Sequence, residues 1–439
     1  MSAPAKSRAN TSHPGARRPR RGWSPADAMT EPIAAPTERI PLIIDELTQE
    51  LPAVGPRYRR REDVYLYGLD ALRMVAALII VFAHINLWYL ASHQTWPAQR
   101  ALDVLTGPLQ TPIDFVGLAA FFLISGVVIT QVGLALPPGR FLVRRAVRIT
   151  PALWAGVILS WLLLNGHAMT AEGGASSAGL NSLLSNMFLA NYATPNTVTV
   201  LPVTWTLLVE IAFYLFMAAT MRLMRTRPWL VPAIGAAALS VGLSVVHVET
   251  PPILHVVRVI LTYLPILFLG QLIGLVRARR LHPLAAIGYG GLFYLLFLRA
   301  DLTSSFTPGV PDYERELILA LLVVVLLTKA NGRFVRSRWI TAVSLRTYAV
   351  YLVHLPVMYA VLGQLAPRLG STPATLIGLV GVALTAEALY RFVEYPAERL
   401  YRRWEKARRA RAEASQHDDS QDRTKAGADA RAEVADGSR

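Results

Sequence analysis

The sequence predicts an all-α, polytopic membrane protein with about ten transmembrane helices and both termini in the cytoplasm. Three observations carry this. Hydrophobic residues make up 53% of the 439 and charged residues only 17%, where a soluble chain carries about a quarter charged. The mean hydropathy is +0.37, which over such a length points to many membrane spans. Arginines concentrate in alternate loops between the apolar segments, as they do when those loops stay in the cytoplasm.

Residues 1–63 are polar, Pro-rich and Arg-rich and read as a disordered basic cytoplasmic arm. No apolar core of a signal peptide follows the early basic residues. Within the arm, residues 40–54 read as a linker or as a short amphipathic helix on the membrane surface. A transmembrane domain follows over 64–402. Its ten apolar segments fall at 69–91, 113–136, 149–166, 203–223, 229–248, 253–276, 283–298, 315–327, 340–365 and 373–393, each near the roughly 20 residues that cross a bilayer. The eighth is short and has room to start earlier. The stretch 181–192 is too short to span and reads as re-entrant or interfacial. Residues 403–439 are charged and Ala-rich, a fraying helix and then a cytoplasmic tail.

The loops after the second, fourth, sixth and eighth segments hold Arg140, Arg144, Arg145 and Arg148, then Arg222, Arg225 and Arg227, then Arg277, Arg279 and Arg280, then Lys329, Arg333, Arg336 and Arg338. The long loop 167–202 has no Lys or Arg at all. The net charge of +15, from 44 basic and 29 acidic residues, is therefore mostly an inside-facing membrane signal. Basic repeats interleaved with aromatics, which would suit nucleic acid, are missing. The sequence has no cysteine, which excludes a disulfide, a thiolate nucleophile and a zinc–thiolate site.

An ionisable residue inside a span costs roughly 2.5–3.5 kcal/mol on insertion scales and marks a functional candidate. The first segment carries Arg73 and His84. They are eleven positions apart, so they lie about 16 Å apart on nearly one face of a helix. His84 could act as a neutral imidazole that takes a proton. Arg73 could hold a phosphate or carboxylate at the cytoplasmic mouth. Equally, Arg73 could snorkel as an anchor and His84 could bond a neighbouring helix. In the second segment, Ser125-Gly126 reads as a small-residue contact between helices, since Ser125 lacks the local pattern of a nucleophile.

The fourth segment contains Glu210, the one acid of that span, with Tyr214 on the same face at i,i+4. Glu210 could orient a histidine or fix helix packing. In the ninth, Tyr348, Tyr351 and His354 form a stripe beside Pro356. That stripe reads as a second pocket wall or as interhelical hydrogen bonding at a kink. Arg140, Arg144, Arg145 and Arg148 suit a polyphosphate such as that of coenzyme A, or else lipid headgroups. Glu394, at the cytoplasmic boundary of the last segment, reads as structural, pairing with that cluster.

Taken together, LDALR…FAH, FFLISG, FLVRRAVRITPALW, TWTLLVEIAFYL, YAVYLVHLPV and FVEYPAERL resemble, in order over 67–399, the membrane acyltransferases of type 3, bacterial integral-membrane O-acyltransferases. That family's Arg, ten residues, then His fall on Arg73 and His84. Its Arg-rich stretch falls on the third segment and its first motif Glu on Glu210. The second Glu and the Gln of that motif are Ile211 and Ala212 here, and the family's Asp before Phe-Phe is Ala119. Asp114 is five residues earlier and cannot be assumed to stand in, so Glu210 becomes the candidate partner of His84.

The resemblance implies an acyltransferase of the bacterial plasma membrane that takes an acetyl or other short acyl group from cytoplasmic acyl-CoA. The acceptor would be a hydroxyl on a glycan, glycolipid or secondary metabolite. His84 and Glu210 are the implied catalytic groups. Arg73, Arg144, Arg145, Arg148, Tyr214, Tyr351 and His354 are the implied substrate-binding groups. No resident cofactor or metal is implied; acyl-CoA is a co-substrate. A lipid or glycan transporter would show repeats and broken helices at matching places in two halves, which the sequence lacks. A catalytically silent scaffold leaves the intramembrane ionisable residues without a role.

Overall fold

In the computed structural model the described residues are 66–94, 96, 98–100, 104, 114–246, 252–302, 313–330, 332–408 and 410–411. The basic arm with its 40–54 stretch, and the tail beyond 411, lie outside them. The described residues are helical with no strand.

In chain order the helices are α1 (Tyr67–Ala91), α2 (Asp114–Ala135), α3 (Pro138–Asn165), α4 (Leu180–Met187), α5 (Trp205–Thr226), α6 (Leu230–Val245), α7 (Pro252–Arg277), α8 (Pro283–Leu302), α9 (Tyr313–Leu327), α10 (Arg338–Ser344), α11 (Thr347–Leu369) and α12 (Ser371–Leu389). The last continues through a π-helical turn, Tyr390–Glu394, to residue 408. Nine of the ten expected segments are each one helix; the ninth, 340–365, is broken at 345–346 into α10 and α11. Eight are long and apolar enough to cross a membrane. The other two, α6 with 16 residues and α9 with 15, are shorter than the roughly 20 residues of an upright span. The 181–192 stretch forms α4 and a single 3₁₀ turn in the long loop, as its length required. The chain is a multi-pass membrane protein.

The centre is α2, whose apolar surface is mostly buried between α1, α5, α7 and α9. A helix end leaves four backbone groups unpaired, and in hydrocarbon water cannot satisfy them. Charged side chains of other helices take up groups at both ends of α2. Near its start, the Val116 amide donates to Glu316 of α9 at 2.9 Å. At its end, Arg225 of α5 donates to the carbonyls of Gly133, at 2.9 Å, and Leu136. Negative charge at a helix N-terminus and positive charge at its C-terminus also match the helix dipole.

Gly126 and Gly270 bring α2 and α7 into backbone contact. A Cβ at Gly126 would stand 2.1 Å from the Leu267 carbonyl oxygen, and one at Gly270 would stand 2.2 Å from that of Leu123. The small-residue reading of Ser125-Gly126 therefore holds for the glycine. The serine has a further partner, described below.

Candidate functional site

Polar side chains of α1, α2, α3, α5 and α11 converge on two cavities. Arg73 and His84 sit on one face of α1, about 16 Å apart by helix geometry. Arg73 lines the first cavity and His84 the second.

The first cavity, of about 120 Å³, lies on the arginine-bearing side of the bundle. Its wall includes Arg73, Arg145, Arg148, Glu210, Tyr214 and Tyr351. Glu210 accepts two hydrogen bonds there, one on each oxygen. Ser125 Oγ donates to Oε1 at 2.5 Å and Tyr214 Oη donates to Oε2 at 2.6 Å. Both lie at the short end of the range for O–H···O bonds. The Arg145 guanidinium lies 5.5 Å from the centre of the Tyr214 ring, within cation–π range. Arg73 is held by Asp70 at 3.1 Å, and the same Asp70 oxygen accepts from Ser344 Oγ at 3.0 Å. Tyr351 Oη donates to the Val203 carbonyl at 2.6 Å and lies 2.7 Å from the Thr206 hydroxyl. Tyr348 Oη donates to the Ile149 carbonyl at 3.2 Å.

The four arginines of α3 do not act as one cluster. The helix turns about 100° from one residue to the next, and Arg144 and Arg145 leave it in different directions. Arg145 and Arg148 line the first cavity. Arg140 and Arg144 instead grip Glu405, at 2.6 and 2.8 Å, on the helix that follows the π turn. The acid bonded to Arg140 and Arg144 is thus Glu405, while Glu394, which the sequence placed with the cluster, lies within electrostatic reach of Arg148. Glu394 lies at the edge of a span, but the long helix brings Glu405 under α3. Arg346, also near this side, makes a two-pronged pair with Glu387, one arm at 3.0 Å.

The second cavity, of about 650 Å³, is on the opposite side. His84 and Trp88 of α1, Tyr359 and Gln364 of α11, and His167 and Ser176 of the long loop are among its lining residues. Gln364 donates to the His167 carbonyl at 3.1 Å, which ties the loop to α11. Among the described residues, the wall combines an aromatic pair and aliphatic side chains with amide, hydroxyl and imidazole groups, and no Asp, Glu, Lys or Arg lines it.

His84 does not meet Glu210. Its Nδ1 is 2.9 Å from the Ile80 carbonyl oxygen and 3.2 Å from His354 Nε2. Both oxygens of Glu210 are occupied by hydroxyls in the other cavity. The expected His84–Glu210 contact is therefore replaced by His84–His354 from α11. The reason is position along the spans: Glu210 shares the level of Arg73 and Tyr214, below His84. His354 is 1% exposed and stands behind His84.

Sequence reasoning missed Ser125 as a partner of Glu210, Thr206, Asp70, Glu405, and the loop residues at the second cavity. Only Asp70 left a local signal, its i,i+3 spacing to Arg73. The other contacts join distant parts of the chain.

A protein-family model described as an acyltransferase domain matches residues 66–391, the stretch that carries both cavities. No curated protein and no solved structure matches the chain.

Proposed function

The chain belongs to the acyltransferase 3 family, and from that premise we propose that it carries a short acyl group from acyl-CoA to a hydroxyl of a glycan, glycolipid or secondary metabolite in the bacterial plasma membrane. The observation that carries this reading is the split of one helix face between two cavities. Arg73 serves a narrow chamber on the arginine-rich side, and His84 serves a wider uncharged chamber on the other. By the distribution of arginines the narrow chamber faces the cytoplasm, where acyl-CoA is made.

In this reading Arg73, Arg145 and Arg148 hold the phosphates of the donor, with its thin pantetheine arm directed along α1 toward His84. The acceptor hydroxyl sits in the wide chamber. His84 takes its proton as the oxygen attacks the thioester carbonyl. The C–O bond forms, the C–S bond breaks, and the proton on His84 returns to the departing sulfur. General-base help of this kind is worth roughly 10²–10⁴-fold. Glu210, with Ser125 and Tyr214, shapes the chamber through which the acyl group passes.

The test uses membranes of cells producing the full chain, supplied with labelled acetyl-CoA. Label is expected in the envelope glycan or glycolipid fraction, and His84→Ala at equal expression abolishes it. Undiminished incorporation by that variant would refute the reading. Failure of the wild-type protein to bind labelled acetyl-CoA would favour a transporter or scaffold instead.

A further inference from the structure

His354 is buried, close to His84, and unused by the chemistry above. Backbone carbonyls constrain both rings. His354 Nδ1 lies 2.7 Å from the Tyr351 carbonyl oxygen and 3.2 Å from that of Val350. A carbonyl oxygen only accepts, so this nitrogen carries the hydrogen. His354 Nε2 then presents a lone pair, and it points at His84 Nδ1 from 3.2 Å. His84 Nδ1 in turn faces the Ile80 carbonyl at 2.9 Å and must also carry its hydrogen. That hydrogen is shared between two acceptors, Ile80 O and His354 Nε2.

We infer that His354 is the positioning residue of His84: it accepts from His84 Nδ1–H, fixes the ring, and leaves His84 Nε2 as the nitrogen that takes a proton from a ligand in the wide cavity. A group behind a catalytic imidazole sets its tautomer and stabilises the imidazolium that forms. An aspartate commonly does so. Ala119 of α2 is fully buried and has no polar side-chain atom to offer. Glu210 is committed to Ser125 and Tyr214. A neutral histidine locked by two carbonyls supplies the acceptor instead. It stays neutral when His84 is protonated, because a second hydrogen on His354 Nε2 would face the hydrogen on His84 Nδ1. The ring centres lie 4.9 Å apart and the ring planes are inclined at 65°.

The inference deepens the acyl-transfer reading, yet its test needs neither donor nor acceptor. Diethyl pyrocarbonate attacks an unprotonated imidazole nitrogen. The full-length protein in nanodiscs is treated with it, and modification is followed peptide by peptide by mass spectrometry. His167, exposed in the same cavity, is the internal reference. His84 of the wild type is expected to react. In His354→Leu its rate falls about tenfold or more, the usual effect of losing a hydrogen bond to a group that becomes charged. The His167 rate is unchanged. His354→Gln, which keeps an acceptor, recovers most of the His84 rate. No reaction at His84 in the wild type, an unchanged rate in His354→Leu, a parallel loss at His167, or no recovery with Gln would each overturn the proposal. Should the Leu variant fail to fold, ¹⁵N spectra of histidine-labelled wild-type protein decide. Nδ1 protonated and Nε2 bare on both rings is the expected signature, and the opposite tautomer on either ring refutes the proposal.

Discussion

The Ser125 hydroxyl and the Glu210 carboxylate lie 85 residues apart in sequence and 2.5 Å apart in space. Tyr214 completes the arrangement on the second oxygen of Glu210. Two donors thus need two acceptor oxygens. Glu210→Gln supplies one, so one hydroxyl must turn to accept from the amide N–H and loses its carboxylate acceptor, at a cost of about 1–3 kcal/mol. Ser125→Ala removes a donor and leaves Glu210 one bond poorer. Each single variant is expected to lower the unfolding midpoint in detergent. The double variant should fall short of their sum, because neighbours in one network are not additive. Additive losses would show that the bond carries no energy.

The contact of α2 with α7 predicts a sharper loss. At Gly126 and Gly270 an added methyl meets backbone carbonyl oxygens at 2.1 and 2.2 Å, and backbone cannot swing aside as a side-chain end can. Overpacking in a close-packed interior costs typically 1–3 kcal/mol and sometimes more. Gly126→Ala and Gly270→Ala should each cut the yield of monodisperse protein in size-exclusion chromatography severely. Gly291→Ala, where nothing lies within 4 Å of the new carbon, should leave it unchanged.

The helices were legible because a span announces itself by length and composition alone. Arg73 and His84 were legible because their spacing is a property of one helix. The partner of His84 was not. His354 is 270 residues away, and two histidines in separate spans carry no sign that they meet. The arginines of α3 show the same limit differently. Their sequence is a run, but a helix deals its side chains around an axis, and which of them reach the cavity depends on where α12 and its extension lie. Likewise, the wide cavity takes part of its wall from residues 167–171 and 176, a loop whose sequence has no periodicity to read.

Glu405 is 6% exposed and is gripped by Arg140 and Arg144 together. Removing one partner of a fully buried pair costs about 3–5 kcal/mol, and less where, as here, one partner keeps contact with water. Glu405→Ala takes the carboxylate from two guanidinium groups at once and should destabilise more than Arg140→Ala. The Arg140 side chain is already 36% exposed and recovers water easily. Thermal unfolding in nanodiscs checks the order, and equal losses would show that the carboxylate is not the hub of the contact.

The division of the α3 arginines also separates binding from stability. Arg148 lines the narrow cavity, whereas Arg144 is spent on Glu405. If the cavity arginines hold the donor's phosphates, Arg148→Ala removes a charge-assisted bond of about 1.5–3 kcal/mol. That is roughly ten- to a hundredfold in the Kd for labelled acetyl-CoA. Arg144→Ala should act on the unfolding midpoint and leave the Kd of the folded fraction nearly unchanged. Arg148→Lys should recover only part of the affinity, because an ammonium cannot present the planar fork of a guanidinium to phosphate. Binding to the wild type should weaken as salt rises, since opposite charges at a cavity mouth are screened. The Arg148→Ala variant should weaken less steeply. A Kd that moves equally for Arg144→Ala and Arg148→Ala would mean that the run of arginines binds as one patch. The pairing of Arg144 with Glu405, one turn along α3 from Arg148, would then have no part in sorting the arginines.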